Sequence, residues 1–243
     1  MQTVVIDQRF SGPPRSGQGG YVAGRVANVI GNPAEVTLRM PPPLARALTL
    51  EATADGGAVL RDGDAVVAEG TKSAALDVVP PATVRWADAE AAGQWYCDHG
   101  DVHPFRACFG CGPDRVPGDG LRTFFGPVAG HDALFAAPFV PDASLVTDGG
   151  NEIAPEFVWA AIDCPSSAPG ILGGALCVLG RLAVDRRGPV QVGYRYVVTS
   201  WLEARDGRKV QTAAALCTDM GNVQAVARAT WIEVDPAKFA SNP

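Results

Sequence analysis

Apolar and polar positions alternate in many short stretches of the chain, and a two-residue period is typical of strands in a sheet. In the first half we predict strands at residues 3–9, 35–39, 48–53, 58–61 and 65–79. In the second half we predict them at residues 121–125, 133–137, 175–186, 190–204, 208–218 and 223–234. Asp206-Gly207 and similar turns separate the last strands, which are therefore expected to pair as antiparallel hairpins.

Residues 155–163 follow a different pattern, because they are apolar on nearly every side. Such a segment predicts a short helix wrapped by other structure. Pro155 suits the first helical turn, and Pro165 is expected to end the helix at about Cys164. Asp163 would then lie at the negative end of the helix dipole, where a carboxylate is disfavoured. Its place suggests either a hydrogen-bonded structural residue or a catalytic one.

Residues 18–30 are glycine-rich at the start and apolar afterwards, and they predict a second buried helix. Glycine costs helix stability, so we attribute these glycines to a close approach by other structure. A third helix is predicted at residues 84–96.

The two halves of the chain repeat one order: strand, glycine/proline loop, apolar helix, and antiparallel strands. We therefore predict an α+β protein with an N-terminal unit at residues 1–80 and a C-terminal unit at residues 121–236. Residues 81–120 form the linker, with a helix and a Cys/His-rich loop, and residues 237–243 form a tail.

Composition narrows the range of functions. The chain has 243 residues, 47% of them hydrophobic, and a formal net charge of −6 with a pI near 5.0. It has no basic run, which argues against nucleic acid or an anionic membrane as a partner. Neither a signal peptide nor an apolar run of roughly 20 residues is found, so we expect a cytoplasmic protein. Its six cysteines are then expected to be thiols or metal ligands rather than disulfides.

Several short motifs resemble one family. The stretch 181–186, followed by Gly188-Pro189 and three long strands, is similar to the tail of acyl-CoA thioesterases. Residues 157–163 look like their central helix, and Gln18-Gly19-Gly20-Tyr21 looks like the start of that helix. The chain thus resembles the double-hotdog acyl-CoA thioesterases. The resemblance implies two tandem hotdog units, each a curved antiparallel sheet wrapped around a central helix, and leaves residues 84–115 outside.

The resemblance also implies a division of labour at the interface between the units. The Gly-Gly helix start of one unit would polarise a thioester carbonyl, and an acid on the helix of the other would act on the acyl carbon, directly or through water. When the halves are aligned, Asp163 falls on Ala27, and Gly19-Gly20 falls on Pro155-Glu156. We therefore predict one complete site, with Asp163, Gly19, Gly20 and Gln18 as its catalytic groups. The alternative for the glycines is helix packing alone.

Four further residues are candidates for substrate contact, and each has a structural alternative. Tyr21 and Trp159 belong to an apolar pocket or to an ordinary core. Glu156 contacts substrate or is a favourable acid in a first helical turn. Arg181 binds CoA phosphates or lies on a solvated strand face.

The linker contains Cys97, His99, His103, Cys108 and Cys111 within fifteen residues. The C-x2-C pair followed by glycine resembles a zinc knuckle, but the overall spacing matches no standard zinc finger. We favour reduced packing thiols and keep open a structural zinc held by Cys97, His103, Cys108 and Cys111. No cofactor is predicted to be needed for catalysis.

The preferred function is thus hydrolysis of an acyl-CoA or carrier-bound acyl thioester, by a monomer or a homo-oligomer. No Gly-x-Ser-x-Gly motif supports a serine hydrolase. A hydratase or dehydratase on the same fold is an alternative, although His99, His103 and His131 all fall outside the predicted central helices. A protein that binds acyl groups without turnover is the other alternative.

Overall fold

The computed structural model describes residues 1–99, 105–146 and 149–237, and strands dominate it. The first half contributes β1 Gln2–Val5, β2 Ala34–Leu38, β3 Ala47–Ala52, β4 Ala58–Asp62 and β5 Ala65–Lys72. The second half contributes β6 Gly126–Pro127, β7 Leu134–Phe139, β8 Cys177–Arg186, β9 Tyr196–Asp206, β10 Lys209–Thr218 and β11 Val223–Glu233. The helices are α1 Gly19–Ile30, α2 Trp86–Asp98, α3 Pro155–Ser166 and the short α4 Ala168–Ile171.

All the strands belong to one antiparallel sheet, in the order β1-β3-β4-β5-β2-β8-β11-β10-β9-β7-β6. The first-half strands therefore stand together at one end and the second-half strands at the other. The two groups join where β2 pairs with β8, with Ala34 opposite Val184 and Thr37 opposite Arg181. A large antiparallel sheet with few helices confirms the α+β class.

The helices α1 and α3 pack against each other and against opposite ends of this sheet. α1 contacts β2 to β5, whereas α3 contacts chiefly β9 and β10. A Cβ atom on Gly20 would lie 2.5 Å from Asp163 Cβ, and one on Gly24 would lie 2.6 Å from Glu156 Cα. The helices are thus antiparallel and approach more closely than any side chain at these two positions would allow. The prediction that the glycines of α1 serve close approach is confirmed.

α3 continues past the expected stop at Pro165 and ends at Ser166. A buried helix end needs partners for its last carbonyl groups. Three serine hydroxyls supply them: Ser166 and Ser167 donate to the carbonyl oxygens of Asp163 and Cys164, and Ser200 donates to that of Pro165. Asp163 therefore lies in the last turn of the helix rather than at its end.

Two predicted strands also differ. Residues 121–125 are not a strand, because their backbone bonds to the linker: the N–H groups of Leu121 and Thr123 donate to the carbonyl oxygens of Phe109 and Gly110. The long strand predicted at 65–79 ends at Lys72, which is paired with Ala34 at the start of β2, and the next N–H, that of Ser73, donates to the carbonyl oxygen of Pro33 just outside β2. The helix predicted at 84–96 is present as α2, shifted by two residues.

The core is formed mainly where α1 and α3 meet the sheet, and it extends to the linker through Tyr96, Phe105 and Phe109. No helix in the described parts of the chain is long and apolar enough to span a bilayer. The exact domain boundaries and the cytoplasmic location stay predictions.

Candidate active site

A cavity of about 720 Å³ opens where the strands of the two halves join. Its first-half lining comes from the loop at residues 12–18, from Gly19 and from residues 38–42 at the end of β2. Its second-half lining comes from α3, the start of β8 and the end of β11. Most lining side chains are apolar, and they include Leu38, Met40, Phe105, Val178, Leu179, Trp231 and Ile232. The cavity can therefore take an apolar group.

Asp163 and the start of α1 meet at this cavity. The N–H of Gly20 donates to Asp163 Oδ2 at 2.8 Å, so the acid from the second half is held by the glycine-rich helix start of the first. Asp163 lines the cavity although its residue surface is only 3% exposed. Its other oxygen, Oδ1, is buried and has no hydrogen-bond partner among the described residues. A buried polar atom without a partner is costly, and here a molecule bound in the cavity could supply the partner.

The environment of Asp163 disfavours the charged form. Burial raises the pKa of Asp163 to about 8, and the hydrogen bond from Gly20 opposes that shift only in part. The carboxyl group can therefore exchange a proton near neutral pH, as a general base or acid must.

Gly19 and Gln18, the other predicted catalytic residues, also line the cavity, but their polar groups differ in availability. Gln18 caps α1: its Oε1 accepts from Tyr21 N–H at 2.6 Å, and its Nε2 donates to the carbonyl oxygen of Ala160. Both ends of its side-chain amide are thus hydrogen-bonded, one to α1 and the other to α3. The N–H of Gly19 is the first of α1, and no acceptor is found for it in the described portion of the chain. A free N–H at a helix start can hold a developing negative charge.

The four residues predicted to contact substrate all lie away from the cavity lining, as far as the described residues show it. Tyr21 stacks on Phe10 at 4.0 Å, and Trp159 is buried beneath Gly20 and Gly24. Their places are those of core residues.

Glu156 and Arg181, the charged candidates, are engaged elsewhere. Glu156 accepts a hydrogen bond from Asn28 at 2.8 Å and pairs with Arg25, which links α3 to the far end of α1. Arg181 donates to Thr37 and pairs with Glu35 across the join of β2 and β8. For both residues the geometry favours the structural alternative.

Two other arginines, Arg15 and Arg39, do line the cavity. Sequence reasoning missed them because nothing in their local pattern marks them. Arg39 directly follows β2, which ends at Leu38 beside the cavity, and it pairs with Glu69.

Of the four predicted zinc ligands, Cys108 and Cys111 lie together in the described part of the chain. Cys97 is exposed on α2, and His103 lies outside the described residues. Cys108 and Cys111 are buried, and the third thiol beside them is that of Cys164 on α3. Sequence reasoning missed Cys164 as a partner because it lies 53 residues beyond Cys111. Its position next to Asp163 in α3 is a signal that could have pointed to it.

Comparison with known proteins supports the fold. No family model matches the sequence, and no curated protein matches it. Two solved structures each align with 96% of this chain. The first is a candidate thioesterase from Novosphingobium aromaticivorans, with a TM-score of 0.62, 12% sequence identity and 95% of its own length covered. The second is the tesB protein of Mycobacterium avium subsp. paratuberculosis, with a TM-score of 0.60, 10% sequence identity and 92% of its own length covered. The resemblance to double-hotdog thioesterases is therefore confirmed at the level of the fold.

Proposed function

We propose that this protein hydrolyses an acyl-CoA or carrier-bound acyl thioester at one composite site, built from the start of α1 and the acid of α3. One observation carries the proposal. The Gly20 N–H and the Asp163 carboxylate, from opposite halves of the chain, meet at 2.8 Å beside a largely apolar cavity. The fold shared with thioesterases adds support, but the site itself supplies the argument.

Each group has a distinct part in the reaction. The thioester carbonyl oxygen accepts a hydrogen bond from Gly19 N–H, where the helix dipole stabilises the negative charge that develops there. Asp163 takes a proton from a water molecule, and the oxygen of that water adds to the acyl carbon. When the tetrahedral intermediate collapses, the carbon–sulfur bond breaks, and the proton passes from Asp163 to the departing sulfur. Gly20 holds the carboxylate in place throughout.

The cavity lining suits the two ends of such a substrate. Leu38, Met40 and Leu179 offer an apolar surface for the acyl chain. Arg15 and Arg39 bring positive charge to the same cavity, and guanidinium groups bind phosphates well. These two arginines replace Arg181 as our candidates for the CoA phosphates.

We further infer that the two halves are tandem hotdog units with α1 and α3 as their central helices. The grouping of first-half and second-half strands in the sheet supports this arrangement. At the opposite end of the helix pair, the place of a second site holds Glu156 with its partners Arg25 and Asn28. We therefore propose a single site of this kind among the described residues.

The test is thiol release from a panel of acyl-CoAs that differ in chain length, with Asp163→Asn as the decisive variant. Asparagine keeps the shape and can still accept from Gly20, but it cannot take a proton, so kcat should fall by at least about 100-fold. Glu156→Gln is the matched control, because it removes the other carboxylate of α3 and should leave kcat nearly unchanged. Full activity in Asp163→Asn would refute the mechanism. Tight binding of intact acyl-CoA without thiol release by the wild type would instead identify a binding protein.

A further inference from the structure

Three buried thiols form a cluster beside the candidate active site. The Sγ atoms of Cys108, Cys111 and Cys164 all lie within 4.8 Å of one another, and those of Cys108 and Cys164 are 3.6 Å apart. All three residues are buried. Cys108 and Cys111 belong to the linker, whereas Cys164 follows Asp163 on α3, so the cluster joins two distant segments of the chain.

The backbone around the cluster is shaped to hold the sulfur atoms close. A Cβ atom on Gly110 would lie 2.5 Å from the Cys164 sulfur. One on Gly112 would lie 2.4–2.5 Å from backbone atoms of Arg106 and Cys108, so only glycine fits this tight turn. The turn is closed by a hydrogen bond from Gly112 N–H to the carbonyl oxygen of Cys108. The Cys-Phe-Gly-Cys-Gly segment is therefore folded as a knuckle, with a third thiol placed against it.

We propose that Cys108, Cys111 and Cys164 bind one zinc ion as thiolates, with the fourth coordination position on the side of the cavity. Zinc–thiolate bonds of about 2.3 Å in a tetrahedron set the sulfur atoms about 3.8 Å apart, close to the separations in the cluster. The fourth position faces the cavity because Cys108 and Cys164 both line it. Gln18, only 1% exposed, places its Nε2 donor 3.8 Å from the Cys164 sulfur and supports a charged thiolate there.

The chemistry of the thiols is consistent with this assignment. Three thiolates buried side by side would repel one another, and a divalent ion that replaces their protons neutralises that charge. The bound ion would fasten the linker to the turn of α3 that carries Asp163, and so hold the acid in position. This role as a support is separate from the hydrolysis proposed above.

The test is the metal content of protein made without a histidine tag, in zinc-supplemented medium, and dialysed before elemental analysis. We expect about one zinc ion per chain, with thiolate-to-metal absorption when Co²⁺ replaces it. Removal by a strong chelator should lower the Tm by about 5–10 °C. A wild-type protein without bound metal, or one in which Cys108 and Cys164 form a disulfide, would overturn the proposal whether or not it hydrolyses thioesters.

Variants define the ligand set. Cys111→Ser should weaken zinc binding by more than about 100-fold, and it leaves the cavity lining intact. Cys164→Ser should weaken zinc binding to a similar extent, although it also changes a residue of the cavity lining. Cys97→Ser tests the ligand set suggested by sequence alone, and together with Cys217→Ser, on the distant strand β10, it should keep the full zinc content. Loss of zinc in Cys97→Ser, or retention of full affinity in Cys111→Ser, would contradict the assignment.

Discussion

Replacing Gly24 with alanine tests whether the close contact between α1 and α3 positions the site. The added Cβ atom would lie 2.6 Å from Glu156 Cα and 3.0 Å from Trp159 Cβ. Carbon atoms in contact are about 3.5–4.0 Å apart, so the helices would have to separate by about 1 Å. Overpacking against a backbone atom costs about 3 kcal/mol, and the better helix propensity of alanine returns about 1 kcal/mol. We expect a net loss of about 2 kcal/mol, seen as a Tm lower by about 4–8 °C.

The same separation of the helices should also lower the activity, because Gly20 lies one turn away on the same helix. A displacement of about 1 Å between Gly20 and Asp163 should lower kcat/KM for thioester hydrolysis by about 10- to 100-fold. Thermal unfolding by circular dichroism and thiol release measure the two effects. Val29→Ala, at an exposed position of α1, should change stability by less than about 0.5 kcal/mol and leave kcat/KM unchanged. A higher Tm together with normal activity in Gly24→Ala would refute the reasoning.

Two further predictions concern the substrate. Arg39→Ala should raise KM about tenfold for acyl-CoA, because a charge-assisted bond to phosphate is lost, but should not change KM for a short thioester without phosphates. Arg181→Ala serves as its control and should leave both values unchanged; the opposite pattern would return the phosphate site to Arg181. Met40→Trp should fill part of the cavity and lower kcat/KM for long acyl chains about tenfold relative to acetyl-CoA. An equal effect on all chain lengths would show that the acyl group lies elsewhere.

The elements of the fold could be predicted where local pattern decides them. The glycines of α1, the apolar run of α3 and the alternation of the last strands are local signals, and each corresponds to an observed element. The end of α3 could not be predicted, because the carbonyl group of Pro165 is satisfied by Ser200, which is distant in sequence. Similarly, residues 121–125 have an apolar composition that suits a strand, but the linker loop provides their backbone partners.

Some contacts of the candidate site could also be predicted from the sequence, and others could not. The family resemblance anticipated that Gly20 and Asp163 face each other, but not their direct hydrogen bond, because it assigned the Gly20 N–H to the thioester carbonyl. The linker lies outside that resemblance, so the approach of Cys164 to Cys108 had no rule to reveal it. Arg39 reaches the cavity through the path of β2, and only the pairing of that strand with β8 determines where it lies.

The unequal ends of the α1–α3 pair affect how this chain can change through mutation. In a dimer of identical chains, one gene encodes both facing surfaces, so every substitution enters both sites at once. Here Gly20 faces Asp163 at one end, whereas Arg25 and Asn28 bind Glu156 at the other. A substitution in one half of this chain therefore changes only one end of the helix pair. One end of the pair is free to be selected for chemistry, and the other for holding the two helices together.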